Sequence, residues 1–291
     1  METLIPEQLA ALSHPKRLDL FRLLMRRYPD SVAAGQIAAA LELKANTASV
    51  YLARLRQAGL IEQKRVGTSL HYCANLPQIR ALFGGLIADC CQNRPDLCLP
   101  TPNTCQTGAT DMPNPEMKDP DTPLNVLFLC TGNSARSIIA ETILQAEGKG
   151  RFMAYSAGTR PTGTPHPEVI EVLQNKAHDV SRSASKSLAV FSGSGAPDMD
   201  FIITVCDAAA NEECPVWPGH PMSAHWGLPD PVAATGAHRT RAIHQAYDLL
   251  QRRIRALVAL NPARLSQIER QHAVDDIGRI QASDPHTEAA T

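Results

Sequence analysis

At residue 125 the chain enters a continuous apolar run, Asn125 to Leu129 (NVLFL), and helical spacing takes over at Ser137, leaving almost nothing between the two. An apolar run this short fits a strand buried on both faces, the environment of a parallel sheet. A strand feeding straight into a helix, expected over 137–147, restricts the back of the chain to an α/β architecture on a parallel sheet. The junction reads Cys130-Thr131-Gly132-Asn133-Ser134-Ala135-Arg136-Ser137, so a cysteine and an arginine bracket five residues. Backbone N–H groups of such a turn, with the positive end of the following helix, form a cradle for a tetrahedral oxyanion. Arg136 can fork onto two of its oxygens. The same positive field is expected to lower the thiol pKa of Cys130, so that it attacks as the thiolate near neutral pH. Gly132 is expected to give the turn its backbone freedom.

Further along, FIITV predicts a second buried strand over 201–205. A long closing helix is expected over 240–260, with Ile243, Tyr247, Leu250, Ile254 and Leu257 at three- and four-residue spacing. Ahead of all this, residues 93–123 contain seven prolines, few large apolar residues and no helical or strand period. That stretch reads as a flexible linker. With 291 residues the chain has length for two domains. The expected division is 1–92, the linker 93–123, the α/β domain 124–280 and a disordered polar tail 281–291.

The front is helical. Residues 15–28 place Leu18, Phe21, Leu24 and Met25 on one face, with proline in the tolerated first turn. A short helix over 34–41 is followed by another over 46–58, in which Val50, Leu52 and Leu55 are expected to face inward and Gly59 to supply the stop. LIEQKRV and SLHYCA can pair around Gly67-Thr68, and helical spacing returns over 76–91. Helix, helix-turn-helix, two-stranded wing and closing helix describe a winged-helix module. Its second helix is expected to expose Thr47, Ser49, Tyr51 and Arg54, and its wing Lys64 and Arg65, for bases and phosphates of DNA. Residues 1–92 carry 11 Lys/Arg against 7 Asp/Glu, a modest basic surplus, while the rest is mildly acidic. No apolar run reaches the ~18 residues of a membrane span, and the first residues lack a basic flank followed by an apolar stretch. The expectation is a cytosolic protein with no membrane partner.

In a reducing compartment eight cysteines read as buried hydrophobes, metal ligands or redox groups rather than a disulfide framework. Cys90, Cys91 and Cys98 fall within nine residues and could offer three soft thiolates to arsenite or antimonite. Cys73 and Cys105 are expected to be structural or incidental. No histidine has ligand spacing.

CTGNSARS resembles the loop of the low-molecular-weight protein tyrosine phosphatase fold and, within it, of the thiol-dependent arsenate reductases, over roughly residues 124–280. That family often carries a second cysteine just before the arginine; Ala135 stands there, which rules out a disulfide inside the loop. Thiolate attack on arsenate leaves an oxidised sulfur that another thiol must resolve, whereas a phosphatase needs only water. In FIITVCDAAANEECPVWPG, Cys206 ends the strand and Cys214 follows eight positions later. The residues alone leave two packing cysteines open. The resemblance implies that Cys206 and Cys214 act in series and end as a disulfide for thioredoxin or for glutathione/glutaredoxin. In HWGLPDPVAATG, Asp230 sits between prolines on an exposed turn, suited to protonating a departing oxygen or to a plain Asx-turn. The resembling families use an Asp-Pro as the acid. Tyrosine phosphatases usually continue with tyrosine, and here Val232 follows. LSHPKRLDLFRLL with LRQAGLIEQKRVGTSLHY resembles the ArsR/SmtB-type winged-helix repressors over roughly residues 5–92. Some arsenite-responsive members carry a similar Cys-Cys pair and third cysteine, and such repressors bind operator DNA as homodimers.

Together these readings describe an arsenite-responsive repressor fused to an arsenate reductase. No bound cofactor is expected, only an external thiol reductant, with arsenate as substrate and arsenite as effector. The rivals are a protein tyrosine phosphatase and a non-catalytic, oxyanion-sensing regulator.

Overall fold

The computed structural model describes residues 4–90, 122–193, 195–212, 217, 221–260, 265 and 267–281. These fall into two compact units. The expected linker, apart from residues 122 and 123, and the expected tail beyond residue 281 lie outside the described residues.

In the front unit α1 (Leu4–Leu12), which the sequence reading did not separate, precedes α2 (Pro15–Arg27), where proline opens the helix without costing a hydrogen bond. The inward face of α2 is rotated from expectation. Leu20, Leu23 and Leu24 are fully buried, and Leu18, Phe21 and Met25 lie at its margins. The two-residue β1 (Val32–Ala33) leads into α3 (Ala34–Ala40) and α4 (Ala45–Gln57). Ala48, Leu52 and Leu55 of α4 are buried at i, i+4 and i+7. Val50, expected inside, falls on the opposite side of that stripe and is 65% exposed. The wing is as read: β2 (Ile61–Val66) and β3 (Ser69–Ala74) pair antiparallel with Val66 opposite Ser69, and β1 joins the far edge of β3. The closing helix α5 (Leu76–Gly85) ends earlier than expected, passing into a π turn at Leu86–Cys90.

The second unit is a parallel sheet with helices. Its elements are β4 (Leu124–Cys130), α6 (Arg136–Glu147), β5 (Phe152–Gly158), α7 (Pro167–Asn175), β6 (Phe201–Thr204), α8 (Asp207–Asn211), β7 (Met222–His225), α9 (Ala237–Ala259) and α10 (Gln267–Gly278). All pairings in the order β5-β4-β6-β7 are parallel. Both faces of β4 are covered. Val126, Phe128 and Cys130 point into the larger core, Leu127 and Leu129 into a second core with Ile202, Phe191 and Met199. This is why its sequence runs apolar without alternation. From β4 the chain goes first to β5 on one side and then to β6 on the other. The C-terminal end of β4 is therefore the switch point of the sheet, where a crevice opens. The predicted face of α9 is buried throughout, and Arg253, a charge the apolar pattern did not flag, is buried with it. No helix among the described residues is long and apolar enough to cross a membrane.

Candidate active site

The C-terminal ends of all four parallel strands converge on the loop after β4. Cys130 ends β4, Gly158 ends β5, Cys206 lies two residues past β6, and Trp226 to Asp230 follow β7. The loop is held by its carbonyls. Those of Cys130, Thr131, Gly132 and Ser134 accept hydrogen bonds from the N–H groups of Thr159, Arg160, Thr162 and His166 at 2.9–3.1 Å. In a trans peptide the N–H points opposite to the C=O, so the N–H groups of Thr131, Gly132, Asn133 and Ala135 turn the other way, into the cradle. The Asn133 N–H accordingly donates to Cys130 Sγ at 3.1 Å.

The residue that bends the loop is Asn133, not Gly132. Asn133 has φ 44°, in the left-handed region that asparagine tolerates, whereas Gly132 is not left-handed. The value of Gly132 is its small size, since a Cβ there would lie 3.3 Å from Thr162 Cγ2. Gly158 is needed for the same reason, because a Cβ would stand 2.7 Å from the Thr131 carbonyl. Asn133 is fully buried and uses its whole side chain. Its Nδ2 donates to the Ser137 and Ser156 hydroxyls, both at 2.9 Å, and its Oδ1 accepts from the Lys186 N–H at 2.6 Å. Ser156 donates in turn to Glu141, which also pairs with Lys186 Nζ at 2.7 Å. Sequence reading missed Ser156, Glu141, Lys186 and Gly158. Only the fold brings them beneath the loop.

Cys130 is 3% exposed, and its Sγ lies 3.0 Å from the Ser137 hydroxyl. The expected lowering of its pKa does not hold. Burial pushes the thiol above its ordinary value and outweighs the Ser137 hydrogen bond; the nearby Cys206 also pushes it up, while the Asn133 N–H and Arg136 pull it down. Alkylation of Cys130 by iodoacetamide, followed peptide by peptide, is therefore expected to titrate above the normal thiol range. Ser137→Ala, which removes a bond favouring the thiolate, should move that midpoint further up; an unchanged or lower midpoint would contradict the geometry.

Arg136 Nη1 donates to the Leu228 carbonyl at 3.1 Å, and Nη2 lies 3.3 Å from Asp230 Oδ2. Its Nε is buried with no hydrogen-bond partner. A buried donor without an acceptor is costly, and an oxyanion in the cradle would satisfy it. Asp230 is 43% exposed at its side chain and accepts from the Val232 N–H, so it forms the Asx-turn and also stands over the loop. Val232 packs against the core. Cys206 is 2% exposed, and its Sγ lies 3.4 Å from Thr131 Oγ1, on the loop itself. Cys130 and Cys206 are free thiols. His225, assigned nothing from sequence, bridges Thr204 Oγ1 at 2.8 Å and Asp207 Oδ1 at 2.9 Å. Cys214 lies outside the described residues.

In the front unit Ser49, Arg54, Lys64 and Arg65 are exposed as expected and Thr47 is half-buried. Tyr51 is half-buried, not displayed, because its ring packs on His14 with centroids 5.0 Å apart. Cys73 is half-buried on β3. Cys91, Cys98 and Cys105 lie outside the described residues, as does the side chain of Cys90. Among the described residues no His/Cys/Asp/Glu cluster could hold a metal ion.

The family model described as low molecular weight phosphotyrosine protein phosphatase matches residues 125–273, and a helix-turn-helix domain model matches residues 12–64. An arsenate reductase of Shouchella clausii is 34% identical over 116 residues, 40% of this chain and 80% of that protein. One from Bacillus licheniformis is 32% identical over 120 residues, again 40% and 80%. "Arsenate reductase 2" of Staphylococcus saprophyticus is 32% identical over 136 residues, 42% of this chain and 95% of that protein.

Proposed function

This chain belongs to the low molecular weight phosphotyrosine protein phosphatase family, and from that premise we propose that it is a bifunctional arsenic-resistance protein, a winged-helix repressor responsive to arsenite (residues 1–92) fused through residues 93–123 to an arsenate reductase (residues 124–280). The observation that carries the enzymatic half is the second buried thiol, Cys206, held against the loop through Thr131 beside Cys130. A phosphatase has no use for it. The similarity to arsenate reductases supports the same choice.

Arsenate binds in the cradle of N–H groups of Thr131, Gly132, Asn133, Ser134, Ala135 and Ser137, with Arg136 on two oxygens through its unpartnered Nε and through Nη2, which also faces Asp230. Because burial favours the neutral thiol, the dianionic substrate takes the Cys130 proton as it docks. The thiolate then attacks arsenic. A hydroxyl leaves as water with a proton from Asp230, giving a Cys130–S–As(V) adduct. Cys206 attacks the sulfur of that adduct, a Cys130–Cys206 disulfide forms, and the S–As electron pair departs on arsenic as arsenite. Cys214 exchanges into this disulfide, freeing Cys130. The Cys206–Cys214 disulfide is reduced by thioredoxin or by glutathione/glutaredoxin. Arsenate-dependent NADPH oxidation, with each reductant system supplied separately, tests the reading. Hydrolysis of aryl phosphate with no arsenate reduction would favour the phosphatase, and inactivity towards both an oxyanion sensor.

The helix-turn-helix match supports the regulatory half. A homodimer contacts operator DNA through Thr47, Ser49, Tyr51 and Arg54 of α4 and Lys64 and Arg65 of the wing, and arsenite binds Cys90, Cys91 and Cys98, which follow the closing helix in the sequence. Release requires arsenite to prefer the DNA-free form; a ~100-fold preference is about 2.7 kcal/mol of coupling. Fluorescence anisotropy on the promoter of its own operon should show arsenite releasing the wild type but not a Cys90/Cys91/Cys98→Ser variant. Equal release from both would remove the thiol site.

A further inference from the structure

Asp230 sits on a segment without regular structure, so something other than a strand ladder must hold it over the loop. The segment leaves β7 through Trp226, which is fully buried. Its N–H donates to the Thr204 carbonyl at 2.8 Å, and its indole Nε1 donates to the Val274 carbonyl of α10 at 3.0 Å. The next groups along, the carbonyls of Trp226 and Gly227, have no strand beside them. Both accept from Arg253 Nη1, at 2.8 and 3.4 Å. The rest of that guanidinium binds the Ile280 carbonyl through Nε at 3.2 Å and Nη2 at 3.0 Å. Arg253 is 2% exposed, and the bonds it makes to these three residues are all to backbone carbonyls.

A buried guanidinium set on carbonyls is expensive as packing. Five rigid donors in one plane are, however, well suited to fixing several carbonyls relative to one another. Resting on the reading of Asp230 as the acid, we propose that Arg253 is a positioning residue for it, and that α10 with the chain up to Ile280 completes the brace. The Asp230 segment is then clamped from two sides. Arg253 holds Trp226 and Gly227 from within the core, while Arg136 holds the Leu228 carbonyl and the Asp230 carboxylate from the site. Burial, and secondarily Arg252, lowers the Arg253 pKa to about 10, which leaves the clamp charged at neutral pH. Gly278 of α10 shows how closely the brace fits. A Cβ there would stand 2.6 Å from the His225 carbonyl and 2.8 Å from Trp226 Cδ1. Val274 O, Gly278 and Ile280 O lie beyond residue 273, where the family match ends, so part of this scaffold is contributed by chain outside the matched region.

The test compares full-length wild type, Arg253→Lys, Asp230→Asn and the double variant. Arg253→Lys keeps the charge but cannot span three carbonyls, and should lower kcat for arsenate roughly 10- to 100-fold with KM within about twofold. The double variant should be no slower than Asp230→Asn alone, since the first change acts through the second. Independent, multiplying losses, or an unchanged kcat, would overturn the proposal. Should Arg253→Lys fail to fold, Gly278→Ala displaces α10 from Trp226 and should give the same kcat loss, absent in the Asp230→Asn background. Amide hydrogen exchange over residues 226–233 separates this inference from the reading beneath it. If wild type does not reduce arsenate, the functional reading falls. Faster exchange confined to that segment in Arg253→Lys still supports the brace, and unchanged exchange removes it.

Discussion

Cys130→Ser is expected to lower arsenate reduction by on the order of 10⁴-fold or more, leaving the fold intact. A hydroxyl in this position keeps its proton where a thiol gives it up, and an oxygen cannot form the disulfide that expels arsenite. The replacement is smaller by one atom type only, and its oxygen can still meet the Ser137 hydroxyl and the Asn133 N–H that now contact Cys130 Sγ. Stability should therefore change little while arsenite production stops. Substantial turnover by a folded Cys130→Ser protein would remove Cys130 as nucleophile. Cys214→Ser separates the later step, yielding about one arsenite per protein and then stopping with thioredoxin. Sustained turnover would place the resolving thiol elsewhere.

Asn133→Ala is expected to destabilise the second unit by about 3–5 kcal/mol, a large part of the ~5–15 kcal/mol that holds an ordinary domain together. The change strands the Lys186 N–H and removes the donor to two buried hydroxyls, those of Ser137 and Ser156. It also asks alanine to hold φ 44°, where a left-handed residue costs roughly 1–2 kcal/mol. Asn133→Gly relieves the second cost and not the first. Urea unfolding of the pair therefore separates backbone strain from hydrogen bonding. A loss below about 1 kcal/mol for Asn133→Ala would mean that neighbouring groups or water replace the amide.

The front unit was legible wherever a local period decided the outcome. The wing pairing around Gly67-Thr68 needed only turn chemistry, and the second helix of the helix-turn-helix only its helical spacing and the stop at Gly59. Val50 was misplaced because two residues along a helix turn about 200°, so Val50 and Leu52 cannot share a face, and Leu20, which the sequence reading did not name, lies on the buried side of α2. In the second unit, β4 and its loop were readable because strand, cysteine, arginine and helix follow one another along the chain.

From residue order alone came the parallel α/β class, the winged helix and the nomination of Cys130 and Arg136, since strand, turn and helix follow one another along the chain, while the roles expected of Cys206, Cys214 and Asp230 came from the resemblance to known families. Tertiary structure decided the rest. It set Cys206 against Thr131, 75 residues away, and Asp230 against Arg136. It gave the bend to Asn133 by packing Ser156, Ser137 and Lys186 around its amide, and it closed Arg253 over carbonyls at 226, 227 and 280. It also reversed the expected shift of the Cys130 thiol. A helix N-terminus can be read from sequence, but desolvation depends on everything that packs around a sulfur, and here burial is the larger effect.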